Sequence, residues 1–265
     1  MVAHSSLITV MEKAARKAAP KLRRDFGEVD ALQVSRKGPA DFVSNADKAA
    51  EAAVVEVLRH ARPDWGLLLE EGGEIKGADE RCRWIVDPLD GTSNFLHGIP
   101  HFAISIAAEI DGEVQSGLIH QPLTGESYWA EKGRGAWLST QRLRVSGRRD
   151  LSDCLVGTGI PYQGHGNRDQ FSRILDAVMP EVAGVRRFGA ASLDLAWLAA
   201  GRFDGFWETG LSHWDVAAGI LLIKEAGGFV SDFRGGQDMV QRREIVAGNA
   251  STQSKLHKLV AGALR

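Results

Sequence analysis

Cysteine is scarce in this sequence, and that scarcity excludes one way of holding a fold together. Cys82 and Cys154 are the two among 265 residues, too few for a disulfide scaffold and without the paired spacing of a zinc site. Both are expected to be free thiols in a reducing cytoplasm. Long apolar runs are missing as well: none approaches the ~20 residues of a membrane helix, and the first residues lack a secretory signal's apolar block and cleavage site. The basic stretch Lys13 to Arg24 accompanies only a thin apolar stripe, Ile8, Met11, Ala15 and Leu22, with no aromatic. It reads as a solvated first helix, not a membrane anchor. Charge of one sign is absent too: 32 Lys and Arg stand against 34 Asp and Glu, for a net charge of -2. Nothing in that balance draws the chain to nucleic acid or anionic lipid. Sequence repeats and low-complexity tracts are lacking. A soluble, cytoplasmic protein is expected, in which an anionic substrate would need local help.

What is present is ordinary globular material, 44% apolar and 25% charged, in a chain long enough for a sizeable core. Helical periodicity covers about residues 5 to 25 and 45 to 60. The second helix opens on Ser44-Asn45-Ala46-Asp47, a capping-box-like start with Asp47 at the third helical position. From Phe102 the period changes to two: Phe102, Ile104, Ile106, Ala108 and Ile110 alternate, Asp111-Gly112 turns, and Val114 to Ile119 runs back. That pattern predicts an antiparallel meander, with another short strand at Leu143 to Ser146. The polar, basic "SGRRDLSD" then divides the chain into halves, 1–146 and 147–265. In the second half strands and helices alternate, from "CLVGTGI" through "AASLDLAWLAAG", "FDGFWE" and "WDVAAGILLIKEAGG" to a final helix. The first half reads as α+β and the second as α/β with a largely buried sheet.

Acids stand in places where a plain surface does not require them. "WIVDPLDGTSNF", residues 84 to 95, ends a β-branched run in Asp87 and Asp90. Pro88 and Gly91 are expected to stop the strand there by removing a donor and permitting a turn. Taken alone, Pro-Leu-Asp-Gly is also good surface-turn chemistry. Asp47 on its helix start, Glu70-Glu71-Gly72-Gly73 after Leu67-Leu68-Leu69, and Asp215 in "HWDVAAG" complete the set. Singly, each has a structural explanation as a cap or an acidic loop. Together, acids that follow apolar strands can share one sheet edge only if cations offset their repulsion. Oxygen ligands without His or Cys point to Mg²⁺, with Mn²⁺ or Ca²⁺ as substitutes, and away from Zn²⁺.

"WIVDPLDGTSNF" resembles the signature strand-D-P-[IL]-D-G-T-x-N-F of the inositol monophosphatase family. "HWDVAAGILLIKEAGG" resembles its second signature, "DFVSNAD" at 41 to 47 its D-x-V-[ST]-x-x-D, and "EEGG" at 70 to 73 its G-E-E segment. All four fall in family order and span nearly the whole chain. Three departures stand out: Leu69 where many members have Gly, Ser93 for a common Thr, and "GAASLD" at 189 to 194 for a frequent G-[ST]-A-A. The last touches a loop that helps shape the substrate pocket. The rival D-x-D-x-[TV] pattern of haloacid-dehalogenase-type phosphatases does not fit, because the spacing here is D-x-x-D-x-T.

The resemblance implies a layered α-β-α-β-α sandwich of the metal-dependent sugar phosphatase type, with the active site between the halves. It implies Mg²⁺-dependent hydrolysis of a small phosphate monoester, inositol 1-phosphate first, by metal-activated water. Glu70, Asp87 and the Leu89 carbonyl would hold one Mg²⁺, and Asp87, Asp90 and Asp215 a second; a third, weaker ion would lean on Glu70 and waters. Gly91 and Thr92 N–H groups would take phosphate oxygens beside Ser93 and Ala191. Thr92 would orient the attacking water, with Asp47 accepting through its hydroxyl as a relay. Asp215 would hold the water that returns a proton, and Glu208 would accept from polyol hydroxyls. His213 reads as pocket rim, and Trp214 as packing that fixes Asp215. A homodimer and lithium inhibition are further family expectations. Histidinol phosphate, fructose 1,6-bisphosphate and nucleotide phosphates stay open as substrates, with Arg186 and Arg187 the groups to watch. A regulatory role with RNA or the transcription machinery is the alternative of another class. For that role the basic clusters Arg142 to Arg149 and Arg242-Arg243 are candidates, though they read first as solvated surface.

Overall fold

A computed structural model describes residues 4–26, 34–38, 41–162 and 166–265, the side chains of 34–38 and 41–44 lying outside the description. The chain opens with α1 (Ser6–Phe26), the hairpin β1 (Val34–Gly38) and β2 (Asp41–Ser44), and α2 (Asn45–Ala61). β3 (Trp65–Leu69), β4 (Gly73–Ile75), β5 (Asp79–Asp90) and the short α3 (Thr92–Leu96) follow. Next come β6 (Ala103–Ile110), β7 (Glu113–His120), β8 (Ser127–Glu131), β9 (Gly135–Leu138) and β10 (Gln141–Arg142). The rest is β11 (Leu155–Thr158), α4 (Arg168–Val178), β12 (Gly184–Arg186), α5 (Ala191–Ala199), β13 (Gly205–Thr209) and α6 (His213–Glu225). It closes with β14 (Phe229–Ser231), α7 (Met239–Arg242), β15 (Glu244–Gly248) and α8 (Ala250–Ala263).

Two sheets carry the architecture: one of eight strands in the order β10-β9-β8-β7-β6-β5-β3-β4, the other of five, β12-β11-β13-β15-β14. α1 and α2 pack on one face of the larger sheet, α5 and α6 lie between the sheets, and α4 and α8 cover the smaller sheet's far face. The result is five layers, α-β-α-β-α, over three apolar clusters. Composition follows position. α1 buries the stripe Ile8, Met11, Ala15 and Leu22 and leaves its basic face to solvent, whereas α5 and α6, sheet-bound on both sides, are apolar almost all round.

The second signature explains how α6 fits so tightly. A Cβ on Gly219 would meet Leu195 Cβ of α5 at 2.6 Å, and one on Gly117 of β7 would meet Ala218 Cα at 2.9 Å. Small residues are needed where the helix touches both neighbours. At its far end Glu225 accepts from Gly133 N (2.8 Å) and Gly135 N (2.7 Å), tying the β8–β9 turn to α6. Within the signature, therefore, only its first residues, Trp214 and Asp215, reach the cavity described below.

Two expectations change. The short strand expected at Leu143 to Ser146 lies earlier, at β10; Leu143 N instead donates to Ala136 O and Val145 N to Ala226 O, joining the sheet to the end of α6. And Pro88 does not stop the strand. β5 continues to Asp90 through a bulge, with Asp87 opposite Ser105 and Asp90 opposite Ala103. Three steps on β5 match two on β6. In a regular strand residues three apart face opposite ways, so the extra residue brings both aspartates to one face.

Candidate functional site

Parallel register places the next acid. Leu69 of β3 pairs with Val86 of β5, so Glu70 and Asp87, each one residue further, stand side by side at the carboxyl ends of their strands. Glu70 N donates to Val86 O at 3.2 Å. Glu51 of α2 accepts from Glu71 N at 3.0 Å, which anchors the "EEGG" loop. Of its two acids, Glu70 is the one that reaches the cavity.

That cavity, about 450 Å³, opens between the two sheets. Its walls include Glu70, Asp87, Leu89, Asp90, Gly91, Thr92 and Ser93 from the first half. The second half adds Ala191, Glu208 and Asp215, along with Arg187, Asp194, Trp214 and Arg243. Asp47 is not in the wall. It lies behind it, fully buried, and its Oδ1 accepts the Thr92 hydroxyl at 2.9 Å; that hydroxyl also has Leu89 O within 3.1 Å. Gly91 has φ +91°, and a Cβ there would approach His101 O to 3.0 Å, so the turn that opens α3 is built for glycine.

Asp215 is the third residue of α6 and reaches back to accept Ser212 N at 2.6 Å, half of a capping box. Arg243, itself left-handed at φ 57°, donates to Leu211 O at 2.9 Å and to Gly210 O, holding the loop that enters α6. Glu208, the penultimate residue of β13, lies against Gly159, where a Cβ would land on its carboxylate. Asp194 bonds His101 Nε2 at 3.0 Å under the cavity.

Arg187 and Arg243 offset only part of the negative charge in this site. Burial, then Glu70, Asp90 and Asp215, push the Asp87 carboxyl well above the usual carboxylate range. Asp215 is raised to about 8 by burial and then by Asp90, with Glu70 adding to it. Asp90 is raised by burial against the pull of its hydrogen bonds from Ser192, and Glu208 rises well above its ordinary value through burial and then Asp194. Among the described residues, no three His, Cys, Asp or Glu side chains close on one point as a finished ligand set. The fit to a divalent cation lies in the donor chemistry: a cluster of buried oxygens holding protons against their normal affinity binds hard cations in their place.

A pH-dependent stability follows, with a definite sign. In the unfolded chain an aspartate releases its proton near pH ~4, but Asp215 keeps it to about 8 when folded. Between those values the folded state binds more protons, so this group's share of stability is complete below pH ~4 and lost as pH rises toward 8. A divalent cation held by these oxygens would remove the penalty. Thermal melts should show a gain in Tm on adding Mg²⁺ that is several degrees larger at about pH 8 than at about pH 5. An equal gain at both would mean that the cation is not replacing these protons.

Several residues sit differently from their sequence expectation. His213 is not pocket rim: it turns from the cavity toward Glu109, at 3.6 Å, which also pairs with Arg83 at 2.6 Å. Trp214 does line the cavity, and its carbonyl accepts from Ser105 Oγ at 3.3 Å. Of the two arginines, Arg187 lines the cavity while Arg186 Nη1 bonds Val185 O at 3.1 Å. The side chains of Asp41 to Ser44, in the first part of "DFVSNAD", lie outside the described residues. Gly159, Ser192, Asp194 and Arg243 were not singled out as site residues. Ser192 and Asp194 fall within the departure at "GAASLD", and Arg243 within the basic pair Arg242-Arg243, but none of these patterns marks a place in the site.

Comparison with known proteins gives a consistent result. Residues 3–265 match the Inositol monophosphatase family. An Inositol-1-monophosphatase of Mesorhizobium japonicum is 56% identical over 259 residues, covering 98% of this chain and 97% of that protein. The Nus factor SuhB of Pseudomonas aeruginosa is 45% identical over 247 residues, covering 92% and 91%. The crystal structure of extragenic suppressor protein suhB from Bartonella henselae superposes with a TM-score of 0.94 at 52% identity, covering 97% of this chain and 98% of that one. No helix among the described residues is long and apolar enough to cross a membrane.

Proposed function

Since the chain belongs to the inositol monophosphatase family, whose members are metal-dependent phosphatases, we propose that it hydrolyses a small phosphate monoester with Mg²⁺, inositol 1-phosphate first. One observation carries this reading: Glu70, Asp87, Asp90 and Asp215, from both halves of the chain, face one cavity beside a Thr92 hydroxyl already bonded to Asp47. Glu70, Asp87 and the Leu89 carbonyl would hold one ion, Asp87, Asp90 and Asp215 a second, and Glu70 with waters a weaker third. Bound Mg²⁺ supplies an acidified water, neutralises phosphate charge and offsets the charge that grows on the leaving oxygen. Mn²⁺ and Ca²⁺ are the substitutes the same oxygens accept.

The chain's own groups do the rest. Thr92, whose hydroxyl proton points to Asp47, presents a lone pair to a proton of the attacking water and passes the pull of the buried carboxylate to it. Gly91 and Thr92 N–H groups, with Ser93 and Ala191 alongside, take the phosphate oxygens. Asp215 holds the water that protonates the departing alkoxide. Glu208, at the far wall, accepts from sugar hydroxyls, and Gly159 leaves it room. A homodimer, inhibition by Li⁺ and a cytoplasmic setting belong to the same proposal.

Phosphate release from inositol 1-phosphate, histidinol phosphate, fructose 1,6-bisphosphate, adenosine 3′,5′-bisphosphate and NADP, with Mg²⁺ and with chelator, tests it. Chelator-sensitive preference for inositol 1-phosphate is the expected result. A preference elsewhere keeps the reaction and moves the substrate; no release from any of them overturns it. A relative named Nus factor favours a second reading, a role with RNA or the transcription machinery. The basic clusters offer it little, since Arg148 pairs with Asp204 at 3.1 Å and Arg242 with Asp232 at 3.3 Å. Salt-sensitive RNA binding that persists in Asp87→Asn would support it.

A further inference from the structure

α5 begins without a cap of its own. Its N-cap residue is Ala190, which has no side-chain oxygen to satisfy the first N–H groups. Asp90, more than a hundred residues earlier in sequence and in the other sheet, fills that role. Its Oδ2 accepts Ser192 N at 2.7 Å and the Ser192 hydroxyl at 2.6 Å. Ser192 is completely buried. Two donors from one residue on a single carboxylate oxygen fix both the rotamer and the tilt of the Asp90 carboxyl plane, which leaves Oδ1 as the oxygen available to a cation.

We propose that Ser192 is a positioning residue for metal binding: its N–H and hydroxyl hold Asp90 Oδ2 so that Oδ1 is presented to the ion shared with Asp215. The inference rests on the reading of Asp90 as a metal ligand. It gives a use to the departure noted in the sequence: in "GAASLD" the hydroxyl residue is absent just after Gly189 and stands at 192 instead, where it meets Asp90. Through this bond the smaller sheet's helix α5 and the bulge of the larger sheet's β5 are locked together at the site, so ligand geometry depends on how the two sheets are held. A bystander hydroxyl in a buried corner would leave metal affinity alone. A hydroxyl that aims a ligand would not, since groups holding a ligand in place from behind are worth about 10- to 100-fold in metal affinity.

Calorimetric titration of the full-length, chelator-treated protein with Mg²⁺ and with Mn²⁺ tests this directly. Ser192→Ala is expected to weaken one binding event about tenfold and to raise the Mg²⁺ concentration for half-maximal phosphate release by the same factor. Its rate at saturating Mg²⁺ should stay within about threefold of the parent. Ser192→Thr, which keeps the hydroxyl, should restore affinity; Ser192→Cys, which fills the volume with a poor donor, should behave like alanine even if the alanine variant folds badly. Asp90→Asn serves as the control and should lose that binding event. Unchanged Mg²⁺ and Mn²⁺ affinity in Ser192→Ala and Ser192→Cys would overturn the positioning role. Unchanged affinity in Asp90→Asn would overturn the ligand assignment beneath it, a separate failure that the same titration distinguishes.

Discussion

Asp87→Asn should yield a folded protein whose phosphate release falls by more than about 10³-fold, ~4 kcal/mol of barrier at ~1.4 kcal/mol per factor of ten. The amide preserves shape: Asn can still accept Leu89 N, which bonds Asp87 Oδ1 at 3.0 Å. What it removes is the charge proposed to bridge two cations, so both positions weaken together. The same change has an opposite effect on the metal-free protein. Asp87 is 2% exposed and surrounded by Glu70, Asp90 and Asp215; neutralising it relieves burial and repulsion at once, and the metal-free Tm should rise by a few degrees. Added Mg²⁺ should then stabilise the variant little. Activity within tenfold of the parent would show that the bridging assignment is wrong, and a fall in metal-free Tm would show that the cluster is not electrostatically strained.

Thr92→Ala is the second large effect, and it should separate turnover from metal binding. The hydroxyl donates to Asp47 Oδ1, and of the proposed ion ligands its hydrogen bonds reach only the Leu89 carbonyl and none of the carboxylates. Removing it would break the proposed path from buried Asp47 to the attacking water, so kcat should drop about 10²- to 10⁴-fold, the range for a lost general acid–base group. Mg²⁺ affinity measured by titration should change less than about threefold. Thr92→Ser keeps the donor and should retain most of the rate. If alanine instead weakened Mg²⁺ tenfold with kcat intact at saturating metal, Thr92 would belong to the ion site and the relay would be discarded.

Local chemistry made much of the fold legible. α1, α2, α4 and α8 each have one buried and one wet face, so period 3.6 marks them without knowledge of their partners. Asp111-Gly112 turns the β6–β7 hairpin with φ of 53° and 77°, the positive values such a turn requires. Other features needed a partner to become visible. His213 is two residues from Asp215, which suggests a shared position; on a helix, residues two apart point in nearly opposite directions, and only the arrival of Glu109 shows which way each turns. Pro88 has no N–H to donate, which suggests that the strand ends. It does not, because Ser105 and Ala103 of β6 carry the ladder across the bulge on either side of it.

By itself, then, the sequence determined the amphipathic helices, the β6–β7 hairpin, the lack of a disulfide scaffold, and the acidic and glycine-rich segments that mark the site, because each is written in residue types and in periods spanning a few positions. Tertiary structure alone decided which oxygens meet. The bulge turns Asp87 and Asp90 to one face, the parallel register of β3 and β5 sets Glu70 beside them, and the packing of α5 and α6 between two sheets brings Ser192 and Asp215 from the other half. Those meetings depend on register and on layer order, which are set by partners far away along the chain, and no local pattern carries them.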